Sequence, residues 1–177
     1  MDEILIEPPL TEERARALRA GQPVRISGVL YAARDAAHAR LIQALDRGEP
    51  LPFDPEGAII YYVGPTPGHS GQIVGSAGPT TSERMDAYAP RLIERGVRGT
   101  MGKGERTAPV VEAMRRYGAV YFAAIGGMGA LLGRAIVSAE VIAYPDLGTE
   151  ALRKLVVKDF PAWVGQDAQG GSIFRHL

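Results

Sequence analysis

The sequence predicts an α/β domain, and three observations carry that expectation. Short apolar runs bounded by glycine or proline, such as "GAIIYYVGP" and "AVYFAAI", read as buried strands. Segments with apolar residues at helical spacing, such as "RDAAHARLIQALDRGE" and "TAPVVEAMRRYG", alternate with those runs. The alternation is less regular in the C-terminal half, so a mixed sheet fits there as well as a parallel one.

Taken in order, "ILIEPPL" reads as a short edge strand ended by two prolines. A helix follows, with Thr11 as N-cap, Glu12 and Glu13 in its first turn and Gly21 as its stop. "PVRISGVLYAA" is a strand in which Gly28 marks a bulge. In the next helix Ala37, Leu41, Ala44 and Leu45 share one face. "TPGHSGQIVGSAGPTT" is loop-rich, with one extended piece at "QIVGSA". Pro90 divides the helical segment "SERMDAYAPRLIERG". "VRGTMGKG" is a short strand running into a glycine loop, and Thr107 and Gly118 cap the helix that follows. "GGMGALLGRAI" is a glycine turn with one turn of helix, "VSAEVIAYPD" a strand, and "TEALRKLVV" a short helix or strand. The expected organisation is one domain over residues 1–177, with 1–20 as an N-terminal extension and 160–177 as an irregular tail.

Twenty basic residues balance twenty acidic ones, so no global field favours nucleic acid or an anionic membrane. Any anion must be recognised locally. The chain has no cysteine, which excludes disulfides, thiolate metal sites and a cysteine nucleophile within it. No signal-peptide pattern opens the sequence and no run of eighteen apolar residues occurs, so a soluble cytoplasmic protein is expected.

Four stretches hold candidate chemistry. "GSAGPTTSERMDAY" sets glycines and Pro79 before Thr80, Thr81 and Ser82, with Arg84 one turn in. It reads either as a capped helix or as an anion-binding turn carrying a hydroxyl. In "YAARDAAH", Arg34 and Asp35 stand where a strand passes into a helix, the usual ligand edge of an α/β sheet. Asp35 also suits a plain N-cap, and His38 lies one turn on. In "GTMGKGERT", Gly102 and Gly104 bare the flanks of Lys103, but the phosphate-loop spacing is absent. "IGGMGALLG" lacks a dinucleotide fingerprint and reads as tight packing beneath a neighbouring site. "VKDFPAWV" reads as a buried anchor or a subunit contact, and His69 has no evident metal partners.

In combination these stretches resemble the β-subunit of iron–sulfur hydro-lyases, the class I fumarate hydratases and L-tartrate dehydratases. The residues concerned are Arg34-Asp35-Ala-Ala-His38, Gly78-Pro-Thr-Thr-Ser-Glu-Arg84-Met-Asp86, Gly102-Lys103-Gly104 and Lys158-Asp159-Phe160-Pro161. The resemblance implies a swivelling β/β/α domain with a mixed sheet. It implies reversible hydration of a C4 dicarboxylate, fumarate to (S)-malate or, alternatively, L-tartrate dehydration. It implies a [4Fe–4S] cluster held by cysteines of a partner α-subunit, in a hetero-oligomer, with no metal ligand in this chain. By similarity Thr80 matches the base, and Arg34, Arg84 and Lys103 match the cations that hold the substrate's carboxylates. Thr81 and Asp35 join them as substrate-binding candidates. A non-catalytic anion-binding module and a metal-independent enzyme are the competing readings.

Overall fold

The structure is a computed structural model that describes residues 1–174. Strands β1 (Ile4–Ile6), β2 (Pro23–Ala32), β3 (Ile59–Tyr61), β4 (Gly99–Gly102) and β5 (Val120–Ala123) run parallel, side by side in that order. Two later strands, β6 (Ile136–Ala143) and β7 (Leu152–Gln166), run antiparallel to their neighbours. One edge of β7 pairs with β6 and β5, and its other edge pairs with β2 from Trp163 to Arg153. The mixed sheet therefore closes on itself like a barrel. Helices α1 (Glu12–Ala17), α2 (Asp35–Asp46), α3 (Ala89–Glu94), α4 (Ala108–Tyr117) and α5 (Gly129–Arg134) complete the fold, with 3-10 turns at Ser82–Met85 and Pro145–Glu150. No helix among the described residues is long and apolar enough to cross a membrane.

Strand alternation explains the layering. Successive side chains point to opposite faces. Ile59, Tyr61 and Val63 enter the core enclosed by the closed sheet, beside Ile26, Leu30, Phe122, Leu155 and Phe160. Ile60 and Tyr62 face outward and pack with Ala37 and Leu41 of α2, Met85 and Leu92. Tyr121 likewise faces Val110 and Met114 of α4. Both faces of these strands are covered, which is why their sequences are continuous apolar runs rather than alternating ones.

Most of the expected punctuation is used. Thr11 accepts a bond from the Arg14 N–H at 3.2 Å, Pro90 stands in the first turn of α3, and Gly118 closes α4 in the left-handed region. Gly28, at φ +129, sits at the register shift between β2 and β7. α1 ends at Ala17, short of Gly21. The "QIVGSA" piece forms no strand, only a single bridge between Val74 and Pro67.

Both chain ends differ from expectation. Residues 1–20 are integral to the fold. β1 pairs with β2, Ala15 and Leu18 enter the main core, and Arg16 donates to the carbonyls of Arg115 and Arg116 at 3.0 and 3.1 Å, at the end of α4. The segment expected to be an irregular tail is strand through Gln166. Pro161 and Gly165 hid it, because such residues argue against a strand interior. Pairing on both edges overrides that local bias, and Asp159 absorbs the irregularity at φ +51. Residues 167–171 form a turn in which Asp167 accepts bonds from Ala20, Gln169 and Gly171. The last three residues of the expected tail lie outside the described residues.

Phe160 is fully buried and meets Tyr61 edge-on at 5.3 Å between ring centroids. Phe160→Ala is expected to cost about 3–5 kcal/mol of stability, measured by urea unfolding of the folded variant. A change under about 1 kcal/mol is what an irregular tail would give.

Candidate active site

The carboxyl ends of β2, β3, β4 and β5 form one rim, the edge where open α/β sheets present ligand groups. Four chain segments leave the sheet there. The first is Arg34 and Asp35 at the start of α2, and the second is 62–64 after β3. The third is Lys103 directly after β4, and the fourth is the glycine turn after β5.

The loop carrying Thr80 and Thr81 is stitched into this rim by main-chain bonds. The Thr80 N–H donates to the Tyr62 carbonyl at 2.7 Å. The Lys103 N–H donates to the Thr80 carbonyl at 3.2 Å, and the Ser82 N–H to the Lys103 carbonyl at 2.9 Å. Thr81 and Lys103 thus form a parallel bridge beyond the end of β4. Gly102 makes this possible. A Cβ there would stand 2.1 Å from Ser82 Oγ and 2.9 Å from the Thr80 carbonyl. The missing side chain admits the neighbouring backbone.

These bonds revise one expectation. The N–H groups of Thr80 and Ser82 already have carbonyl partners, and the helix they precede is a four-residue 3-10 turn. Those two N–H groups are therefore not free to bind an anion. The turn's capacity to bind an anion rests on side chains. Lys103 is exposed, lies against Gly126, and makes no ion pair among the described residues.

Arg84 donates from Nε and Nη2 to Asp35 Oδ2, at 3.0 and 2.8 Å. Their side chains are 47% and 37% exposed, so the pair is worth at most about 1 kcal/mol. Such a pair exchanges readily for another carboxylate. Asp35 meets the site through Arg84. Arg34 crosses bare Gly64, with its Nε 3.8 Å from Glu150 Oε1, and neither atom has a hydrogen-bond partner. Arg34 and Thr80 therefore flank the exit of β3 from two sides, while Arg84 follows the threonine turn in sequence and Lys103 is bonded to it through the main chain.

His38 is structural in its surroundings. It is fully buried against Tyr62 and Tyr88, and Nδ1–H donates to the Arg34 carbonyl at 2.8 Å. Burial, helped by the nearby Arg106 charge, pushes its pKa down to about 4 despite that bond and Asp35. The imidazole is neutral at pH 7. His69 sits in an exposed loop, and no group of three metal-ligating side chains occurs among the described residues.

The floor beneath the rim holds residues that the sequence reading did not single out. Tyr121 donates to the Gly104 carbonyl at 2.6 Å and accepts from the Ser82 hydroxyl at 2.9 Å. Burial raises the Tyr121 pKa far above its usual value, so it stays a neutral donor. Arg106, 2% exposed, donates from Nε to Asp86 Oδ1 at 2.7 Å. Asp86 Oδ2 accepts from both N–H and Oγ1–H of Thr107, each at 2.7 Å, placing a carboxylate at the N-terminus of α4. Asp86 lies within the "SERMD" motif, but nothing local marks Arg106 as buried. The "IGGMG" turn does pack beneath its neighbour: a Cβ on Gly129 would meet Ser76 Oγ at 2.2 Å.

The folded pKa of His38, about 4, lies below its ordinary 6.5. The unfolded chain therefore binds more protons in that window, and stability falls as pH drops through it. The loss contributed by His38 is expected to reach about 3 kcal/mol. Urea unfolding of the native chain and of His38→Met at pH 7 and pH 4 tests this. The variant should gain that amount relative to the native chain at the lower pH.

The comparisons with known proteins identify the family of this chain. The model of a family described as "Fumarase C-terminus" matches residues 1–177. The chain is 40% identical over 156 residues to "Fumarate hydratase class I, aerobic" of Escherichia coli, covering 86% of this chain and 28% of that protein. It is 39% identical over 156 residues to "Fumarate hydratase 2" of Leishmania major, covering 87% and 28%. It is 35% identical over 174 residues to "Putative L(+)-tartrate dehydratase subunit beta" of Methanocaldococcus jannaschii, covering 95% and 89%. The chain thus spans under a third of those two fumarate hydratases and nearly all of the dehydratase subunit. The match along the whole sequence, with these relatives beside it, shows that this chain belongs to the fumarase C-terminus family.

Proposed function

We propose that this chain is the β-subunit of a hydro-lyase that reversibly hydrates a C4 dicarboxylate, fumarate to (S)-malate. The observation that carries the reading is the threonine turn bonded to the Lys103 turn, with Arg34 and Arg84 beside it on one rim. The near full-length likeness to a tartrate dehydratase β-subunit supports L-tartrate as the alternative substrate. It also supports a partner α-subunit in a hetero-oligomer, which we infer works in the cytoplasm.

Arg34, Arg84 and Lys103 bind the two carboxylates in this reading. Guanidinium groups suit the planar carboxylate, and Lys103 adds a point charge between bare glycines. For Arg84, substrate carboxylate replaces Asp35, an exchange of like for like. Thr81 borders the same carboxylate. Dehydration breaks the C–H bond next to one carboxylate, and we assign that proton to the Thr80 hydroxyl oxygen. The remaining charge spreads onto the carboxylate as an enediolate, which the cations stabilise more than they stabilise substrate. A free threonine hydroxyl is a weak base, so the assignment requires those cations to stabilise its alkoxide and a proton acceptor from the partner α-subunit to take the hydroxyl proton beforehand.

The group implied for the other half of the chemistry is a [4Fe–4S] cluster. The donors on this rim are arginine, lysine and hydroxyl groups in a chain without cysteine, a set suited to anions, so the α-subunit is the proposed source of its ligands. When bound, the cluster supplies a Lewis acid for the departing hydroxyl.

Co-expression with the α-subunit without oxygen, followed by assays on a panel of dicarboxylates, tests the reading. Thr80→Ala is expected to lower kcat by roughly 10²–10⁴-fold with folding intact, since its main-chain bonds remain. Near-normal turnover would remove it as the base. Arg34→Met and Lys103→Met should each cost roughly 2–5 kcal/mol in kcat/KM. An unchanged value would remove that residue from the site.

A further inference from the structure

The two turns that carry Thr80, Arg84 and Lys103 are exposed above, and a buried ion pair joins them below. Asp86 lies two residues after Arg84, and Arg106 three residues after Lys103. The Arg106 side chain is fully buried and that of Asp86 is 8% exposed. The hydrogen bonds of the pair run between the two turns, to Thr107 at the start of α4 and to the strands beneath them. Arg106 Nε reaches Asp86, and Nη1 reaches Thr100 Oγ1 of β4 at 2.7 Å. Its N–H donates to Gln166 Oε1 of β7 at 2.7 Å. The guanidinium lies over the rings of Tyr62 and Tyr121, at 5.0 and 5.3 Å from their centroids. Those rings belong to the segments whose carbonyl and hydroxyl groups hold Thr80 and Ser82.

We propose that Asp86 and Arg106 are positioning residues that fix the spacing between the Thr80/Arg84 turn and the Lys103 turn. The inference rests on the reading of those three residues as the substrate-facing groups. A buried charge pair is suited to this task. Neither charge can leave its partner without facing an apolar, ring-lined interior, so the pair has one favoured geometry. An exposed pair such as Asp35–Arg84 has no such constraint. The carboxylate clamps need that rigidity, because a misplacement of about 1 Å can cost roughly a hundredfold in rate.

The test uses the assembled enzyme with Asp86→Asn, Arg106→Lys and Arg106→Met. Rates are normalised to folded protein, with Arg84→Met and Lys103→Met alongside. Positioning predicts that Asp86→Asn and Arg106→Met raise KM and lower kcat, reducing kcat/KM at least tenfold per folded enzyme. Arg106→Lys, which keeps the charge, should recover part of the loss. Unchanged KM and kcat per folded enzyme would overturn the proposal. If Arg106→Met does not fold, Asp86→Asn and Arg106→Lys carry the same comparison. Amide hydrogen exchange of this chain separates the proposal from the reading beneath it. Asp86→Asn should speed exchange at Ser82 and Lys103 at least tenfold while the amides paired between β2 and β7 keep their protection. Uniform acceleration, or none, would overturn the proposal. Full activity of Arg84→Met and Lys103→Met would overturn the substrate reading and leave the exchange result standing.

Discussion

The antiparallel pairing of β2 with β7 is the constraint on which the rest of the structure depends. It runs from Pro23 opposite Trp163 to Ala32 opposite Arg153. β7 also holds β5 on its far edge, so one strand closes the parallel set into a ring. Closure has two effects. It encloses the core around Ile26, Tyr61, Phe122 and Phe160. It also turns the exits of four parallel strands toward one another instead of spreading them along an open edge. Groups far apart in sequence, from Arg34 to Lys103, thereby border one rim.

Electrostatics then divides the rim into an upper and a lower layer. Above, Arg34 stands beside Glu150 and Arg84 pairs with Asp35, while Lys103 makes no ion pair among the described residues. These pairs are partly exposed and weakly held, which suits groups that must exchange partners. Below, Asp86 and Arg106 are buried with three hydrogen bonds fixing the carboxylate. In the proposed reading, the substrate's two carboxylates call for cations and exclusion of water from a second surface closing over this rim.

The strands and helices that lie between 23 and 143 were legible because local signals agreed with tertiary demands. "AIIYYV" is apolar throughout since both faces of β3 are covered, and Pro90 and Gly118 stand where helix ends need them. β7 was legible only in its first half. Pro161 and Gly165 speak against a strand, and only pairing across the barrel, invisible in a local window, decides otherwise. The site divides in the same way. Arg34, Asp35, Arg84 and Lys103 of the upper layer were picked out by glycine flanks, by a strand-to-helix transition and by likeness to a family, and Glu150 was not. Arg106 was not, because an arginine in "GKGERT" reads as a surface charge until the fold buries it. Thr80 and Ser82 looked like helix caps, yet their N–H groups complete a strand-like bridge instead.

That bridge has a consequence for how such a rim can change over generations. The joint between residues 80–82 and Lys103 is made of main-chain groups, and the bareness of Gly102 admits them. Side chains at 80, 81 and 103 can then be exchanged while the loops keep their relative path. In the proposed reading, descent with altered appetite for one diacid or another becomes a matter of a few substitutions on an inherited frame.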